Sequence, residues 1–153
     1  MRTWRQTIEK RLRAASRGLD AWAALAWLRG EGEAAVQVRR YLLSARRGKL
    51  QLLMSIINLG EVYYRTAKVS DEANARLILD RFRLAPVVIV PVENQLVFRA
   101  ASLKARFPIS YADSFAAALA VERGARLVTG DPDFRPLEVA HLLTIHWLAR
   151  TRA

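Results

Sequence analysis

The sequence predicts a layered α/β domain with a largely parallel sheet, because short apolar segments rich in β-branched residues alternate with longer stretches of helical periodicity. At 153 residues the chain fits one domain with a real hydrophobic core. Gly48 and Gly124 close two of the helical stretches, as glycine does after a final helical turn.

In chain order, Trp4, Ile8, Leu12 and Ala15 recur at helical spacing and give an apolar stripe on an otherwise basic segment. Gln51–Met54 and Val87–Val90, the latter closed by Pro86 and Pro91, read as buried strands. Arg126–Thr129 and Leu142–Trp147 are the other two strands, and the last alternates Leu143, Ile145 and Trp147 against Leu142, Thr144 and His146. Helices are predicted near 22–29, 33–47, 56–68, 71–83, 93–106 and 111–123. Trp22, Trp27, Tyr63 and Tyr64 fall at core-helix positions. His141 and His146, five apart on the last strand, are expected to face opposite sides and so not to share a metal.

A formal net charge of +11 points to a polyanionic partner, nucleic acid ahead of an anionic membrane surface. The charge is uneven: residues 1–17 hold six basic groups against the single acid Glu9, and the body is only moderately basic. The chain has no cysteine, which excludes a disulfide frame and a thiolate metal site and suits a cytoplasmic location. Ala21–Leu28 is apolar, but Arg29, Glu31 and Glu33 follow it at once, so it reads as a buried helix rather than a targeting segment. No uncharged apolar run reaches the ~18 residues of a membrane span.

Acidic residues occupy the places where a parallel sheet gathers its ligands, after strand ends and in the first turns of following helices. Glu61 lies two turns into the helix after Gln51–Met54, Asp113 opens the helix before Arg126–Thr129, and Asp131 follows that strand. If such groups converge they repel and need a cation. Carboxylates without cysteine or a histidine pair favour Mg²⁺ or Mn²⁺ over Zn²⁺. Each acid also has an ordinary use. Ser110-Tyr111-Ala112-Asp113 has helix-capping spacing, Glu61 and Arg65 suit a surface ion pair, and Asp131 before Pro132 suits a turn.

The segments Leu19-Asp20-Ala21-Trp22, Asn58-Leu59-Gly60-Glu61-Val62-Tyr63-Tyr64, Ser110-Tyr111-Ala112-Asp113-Ser114-Phe115 and Leu127-Val128-Thr129-Gly130-Asp131-Pro132-Asp133-Phe134, in this order, together resemble PIN-domain proteins of the VapC toxin group. The resemblance covers about residues 19–147. It implies a three-layer α/β/α sandwich with a central parallel sheet and a Mg²⁺-dependent endoribonuclease activity. It further implies a cognate antitoxin that blocks the acidic pocket, and a homodimer. By the same resemblance Asp20, Glu61, Asp113 and Asp131 are the catalytic and metal-binding acids. Asp133 would assist from outside, and Thr129 or Ser114 would support by hydrogen bonds.

The start of the chain departs from that pattern. Arg11–Leu19 carries three arginines where the family has an apolar first strand, and Ala21 stands in place of a hydroxyl residue. Guanidiniums are costly to bury unpaired in a central strand. The expectation is therefore a basic extension or irregular first strand over 1–18, with the nuclease-like domain over 19–153. If the first strand fails, the alternative is a catalytically silent module that binds RNA or a protein through the same scaffold. DNA cleavage would share the chemistry, since nothing singles out a contact to the 2′-hydroxyl.

Overall fold

Ser16–Leu19, the end of the arginine-bearing segment, forms the central strand of the sheet. The computed structural model describes residues 3–30 and 32–149 and, within them, side chains other than those of 10–14. The first half of the chain runs α1 (Trp4–Ala14), β1 (Ser16–Leu19), α2 (Ala21–Arg29), α3 (Gly32–Arg46), β2 (Gln51–Ser55), α4 (Ile56–Val69) and α5 (Glu72–Leu84). The second half runs β3 (Val87–Val90), α6 (Asn94–Arg106), α7 (Tyr111–Arg123), β4 (Arg126–Thr129), a 3-10 turn (Pro132–Phe134), α8 (Arg135–Val139) and β5 (Ile145–Trp147).

The five strands are ordered β3-β2-β1-β4-β5 and every neighbouring pair is parallel. Helices lie on both faces, giving the expected three-layer α/β/α sandwich. β1 is regular, pairing Gly18 with Leu53 on one side and with Leu127 on the other. The expected cost does not arise because Arg11 and Arg13 fall within the span of α1. Of these three arginines only Arg17 enters the sheet, and its half-buried guanidinium donates from Nη1 to the Ser16 carbonyl at 3.0 Å.

Alternation along each strand divides the core. Leu19, Leu52 and Val128 pack under α2 and α3 with Ala23, Val38 and Leu42. On the other face Leu127 packs with Ala116, Ala117 and Ala120 of α7, and Leu53 with Phe115, Ala118 and Leu119. A sheet covered on both faces needs apolar residues at successive positions, so its strands read as continuous hydrophobic runs. The alanines of α7 let that helix approach the sheet closely. Each fully buried leucine contributes about 2 kcal/mol.

Two differences from the sequence reading lie at the C-terminal side. The last strand begins only at Ile145, because the preceding residues form the 3-10 turn, α8 and a turn in which His141 takes φ 56°. His141 therefore lies outside the strand, and only His146 projects from it. Tyr64, expected in the core, is 49% exposed, because α4 turns that side away from the sheet. Gly124 ends α7 in the left-handed region, φ 59°, donating its N–H to Ala120 and Val121 carbonyls.

Candidate metal centre

Strand ends and helix starts bring the acids to one edge. Asp20, directly after β1, caps α2: its Oδ1 accepts from the Ala23 N–H at 2.9 Å. Its Oδ2 accepts from the Thr129 hydroxyl at 2.6 Å. The residue is 1% exposed. Burial raises its pKa to about 7 against the pull of those two hydrogen bonds, and the charges of Asp113 and Asp131 add to the rise.

Glu61 is carried by α4, whose first turn is capped by Ser55 Oγ accepting from the Ile57 N–H at 3.2 Å. It is buried, and its Oε1 lies 3.1 Å from Arg65 Nη2. The ion pair expected from the spacing is thus present, but it does not lie on the surface at the glutamate end. Glu61 Oε2 is buried with no hydrogen-bond partner. Burial raises its pKa first; Arg65 opposes, and Asp113 and Asp131 reinforce.

Asp113 is the third residue of α7. Its N–H donates to the Ser110 Oγ at 3.0 Å, so the capping arrangement read from the sequence is real and serves to place the carboxylate. Asp113 is 8% exposed. Burial raises its pKa, the Ser110 hydroxyl opposes, and the charges of Asp131 and Asp133 push it further up. Asp131 sits two residues past β4, its N–H donating to Thr129 Oγ1 at 3.0 Å. Asp131 Oδ1 in turn accepts from the Asp133 N–H at 3.0 Å.

One carboxylate oxygen from each of Asp113, Asp131 and Asp133 falls within 4.8 Å of the others. Asp133, expected only as an outside helper, is therefore a member of the tightest group. Asp20 and Glu61 stand outside that trio but within electrostatic reach of Asp113 and Asp131. Thr129 links the two sides, giving its proton to Asp20 and receiving one from the Asp131 backbone. Ser114, the other expected support, spends its hydroxyl on the Tyr111 carbonyl of its own helix.

Two unit charges 4 Å apart repel by about 4 kcal/mol at an effective dielectric near 20. Among the described residues Arg65 is the one cation paired into this cluster, and its side chain is 54% exposed. The donor set is carboxylate and hydroxyl oxygen, and Glu61 Oε2 is a buried acceptor with nothing to accept from. These features fit a hard divalent cation such as Mg²⁺ or Mn²⁺.

Two supporting residues escaped the sequence reading. Asn58, fully buried and one helical turn before Glu61, donates from Nδ2 to the Ala112 carbonyl at 3.0 Å. It ties α4 to the start of α7 beside Asp113; a buried amide at i−3 from Glu61 was the available signal. Gly130 lies against the Trp22 ring, where an added Cβ would stand 2.3 Å from Cη2. The Gly130–Trp22 contact has no local sequence signature.

The same fold occurs in solved structures at low sequence identity. VapBC2 from Rickettsia felis, bound to a DNA fragment from its promoter, aligns with TM-score 0.68 and 19% identity over 88% of this chain and 99% of that one. VapBC from Salmonella typhimurium, bound to DNA, aligns with TM-score 0.65 and 18% identity over 86% and 96% of the two chains. Mycobacterium tuberculosis VapC20, described as a sarcin-ricin loop cleaving toxin, gives TM-score 0.61 and 19% identity over 78% and 93%. No curated protein sequence matches the chain. The PIN-domain family model matches residues 19–139, from the first acid past the last, and the chain belongs to the PIN-domain family.

Proposed function

We propose that the protein is a Mg²⁺-dependent endoribonuclease, with Mn²⁺ able to substitute, acting in the cytoplasm as the toxin of a toxin–antitoxin pair. The reading is carried by one observation. Acids from four separate segments meet at the carboxyl ends of the parallel strands, with Asp20, Glu61 and Asp113 all pushed toward protonation by burial. Folding brings such groups together at a cost that a bound cation offsets.

Asp20, Glu61, Asp113 and Asp131 would hold the ion, with Asp133 contributing beside Asp113 and Asp131. When bound, a divalent ion supplies Lewis-acid chemistry, making water more acidic and offsetting charge that builds on a phosphodiester. The protein's own residues fix the geometry. Thr129 orients Asp20 and Asp131, Arg65 holds one oxygen of Glu61 and leaves the other free, and Asn58 locks α4 to α7. These contacts hold the acids before substrate arrives, which is where positioning contributes to rate.

The strand on which the silent-module alternative depended is intact, and Asp20 follows it directly, so the nuclease reading is the better supported. The solved relatives crystallised as VapBC pairs support a cognate antitoxin as partner. A homodimer formed through α4 and α5 belongs to the same proposal, supported by the exposed Val69, Leu77 and Leu84. No helix among the described residues is long and apolar enough to cross a membrane.

The test is RNA degradation with and without Mg²⁺ by wild type and Asp113→Asn, with circular dichroism to show that both are folded. Loss of cleavage in the variant and on chelation is the expected outcome. Equal cleavage by both proteins would reject the assignment.

A further inference from the structure

A second charged constellation occupies the face of the sheet under α3, toward the amino-terminal ends of the same strands. Arg17 of β1 and Arg126 of β4 are direct register partners. His146 of β5 stands opposite Val128, and Tyr41 of α3 meets its ring edge-on at a centroid distance of 5.4 Å. Between α3 and β5 lies a cavity of about 240 Å³ lined by Gln37, Arg40, Tyr41, Ser44, Leu50 and His146.

Two features of this cavity point to an anion. Like charges opposite each other on neighbouring strands destabilise a sheet, and no acid in the described ion pairs neutralises Arg40 in the cavity lining or Arg17 and Arg126 on the strands beside it. Their field reaches His146, whose pKa is lowered by burial and then by Arg17 and Arg126. The polar lining is also rich in donors. Gln37 Oε1 already accepts from the Ala149 N–H at 3.0 Å, so its amide offers donors, as do Arg40 and the hydroxyls of Tyr41 and Ser44.

We propose that this cavity is a second, non-catalytic site that binds the phosphate group of a nucleotide or a nucleic-acid strand. Its volume falls below the ~300–1,000 Å³ of pockets that engulf a whole ligand, which suits a phosphate presented on a larger molecule. Charge-assisted hydrogen bonds from arginine are the strongest contacts available for such a group.

The chain contains two histidines, so proton NMR of His146 reads the site directly, with His141 as internal control. Inorganic phosphate, AMP and a short oligoribonucleotide are titrated separately in EDTA, which keeps the acidic centre out of the readout. The expected result is a saturable change at His146 with its titration midpoint moved upward, and none at His141. Saturation by phosphate or AMP identifies a free anion as sufficient, whereas saturation by the oligonucleotide alone identifies the strand.

Arg40 and Arg126 are exposed, so Arg40→Gln and Arg126→Gln should fold normally. Arg40→Gln, which removes a lining side chain, should weaken binding by about tenfold or more, the loss expected for a hydrogen bond to a charged group, and Arg126→Gln, which acts through its charge alone, by a smaller factor. A His146 signal that none of the three ligands moves would overturn the proposal. So would a change that persists undiminished in both variants, or one matched at His141. Because the metal centre plays no part in this readout, either proposal can fail while the other stands.

Discussion

Replacing Asp20 by asparagine should make the metal-free protein more stable at alkaline pH, although it removes a central acid. In the fold, burial holds the Asp20 pKa at about 7, against 3.8 for a freely solvated aspartate. Folded protein therefore keeps this proton across a window in which unfolded protein has released it. The corresponding stabilisation is complete below the unfolded pKa and is lost as pH rises through the folded one. Each unit of difference corresponds to 1.36 kcal/mol, so the loss between pH 4 and pH 8 amounts to about 4 kcal/mol. Asparagine does not titrate and is close to aspartate in shape, so it retains the capping geometry over Ala23. Urea unfolding of both proteins in EDTA at pH 5, 6, 7 and 8 measures the effect. The stability of Asp20→Asn relative to wild type should rise from pH 5 to about pH 7 and level off by pH 8. Burial of Asp20 would be the wrong cause if the difference stayed constant from pH 5 to pH 8.

Thr129→Val keeps the shape of the side chain but leaves Asp20 Oδ2 and the Asp131 N–H without their shared partner. It should cost about 1–3 kcal/mol in urea unfolding and weaken Mn²⁺ binding measured by calorimetry. Gly130→Ala places a methyl into the Trp22 ring and should cost about 1–3 kcal/mol in the same assay. The double variant with Trp22→Leu should recover most of that loss. Arg65→Gln removes a pair whose arginine is largely solvated, so thermal melting should show a change below about 1 kcal/mol, while RNA cleavage falls as Glu61 loses its orienting partner. A Mg²⁺ concentration one hundred times the dissociation constant should stabilise wild type by about 2.7 kcal/mol and leave Asp113→Asn unchanged.

Much of the architecture was legible because its physics is local. Residues 52–54 of β2 and 127–128 of β4 are the buried apolar runs the sequence showed, whereas β3, expected to be buried, lies at the sheet edge with Val88 46% exposed. α7 falls at Tyr111–Arg123 as its Ser110 cap and Gly124 stop foretold. β1 was not legible, since a four-residue strand holding Ser16, Arg17 and Gly18 gains its stability from neighbours on both sides rather than from its own composition. The end of the last strand was readable, but its start was not. A left-handed His141 and the short α8 have weak sequence signals. Glu61, Asp113 and Asp131 could be marked singly by position after a strand or in a helix turn, whereas Asp20, behind an illegible β1, was marked only by the family resemblance. Their proximity could not, because it depends on the sheet order, and Asp133 joined the inner group only through the tight turn at Asp131. Asn58 carried half a signal, a buried amide in step with Glu61, whose partner lies 54 residues away at Ala112.

Calorimetric titration of Mn²⁺ into wild type, Asp20→Asn and Asp113→Asn tests the acidic centre most directly. Saturable binding by wild type, lost or strongly weakened in both folded variants, is the expected result. Absence of binding by wild type, or equal binding by all three, would contradict the assignment of these carboxylates to a divalent ion.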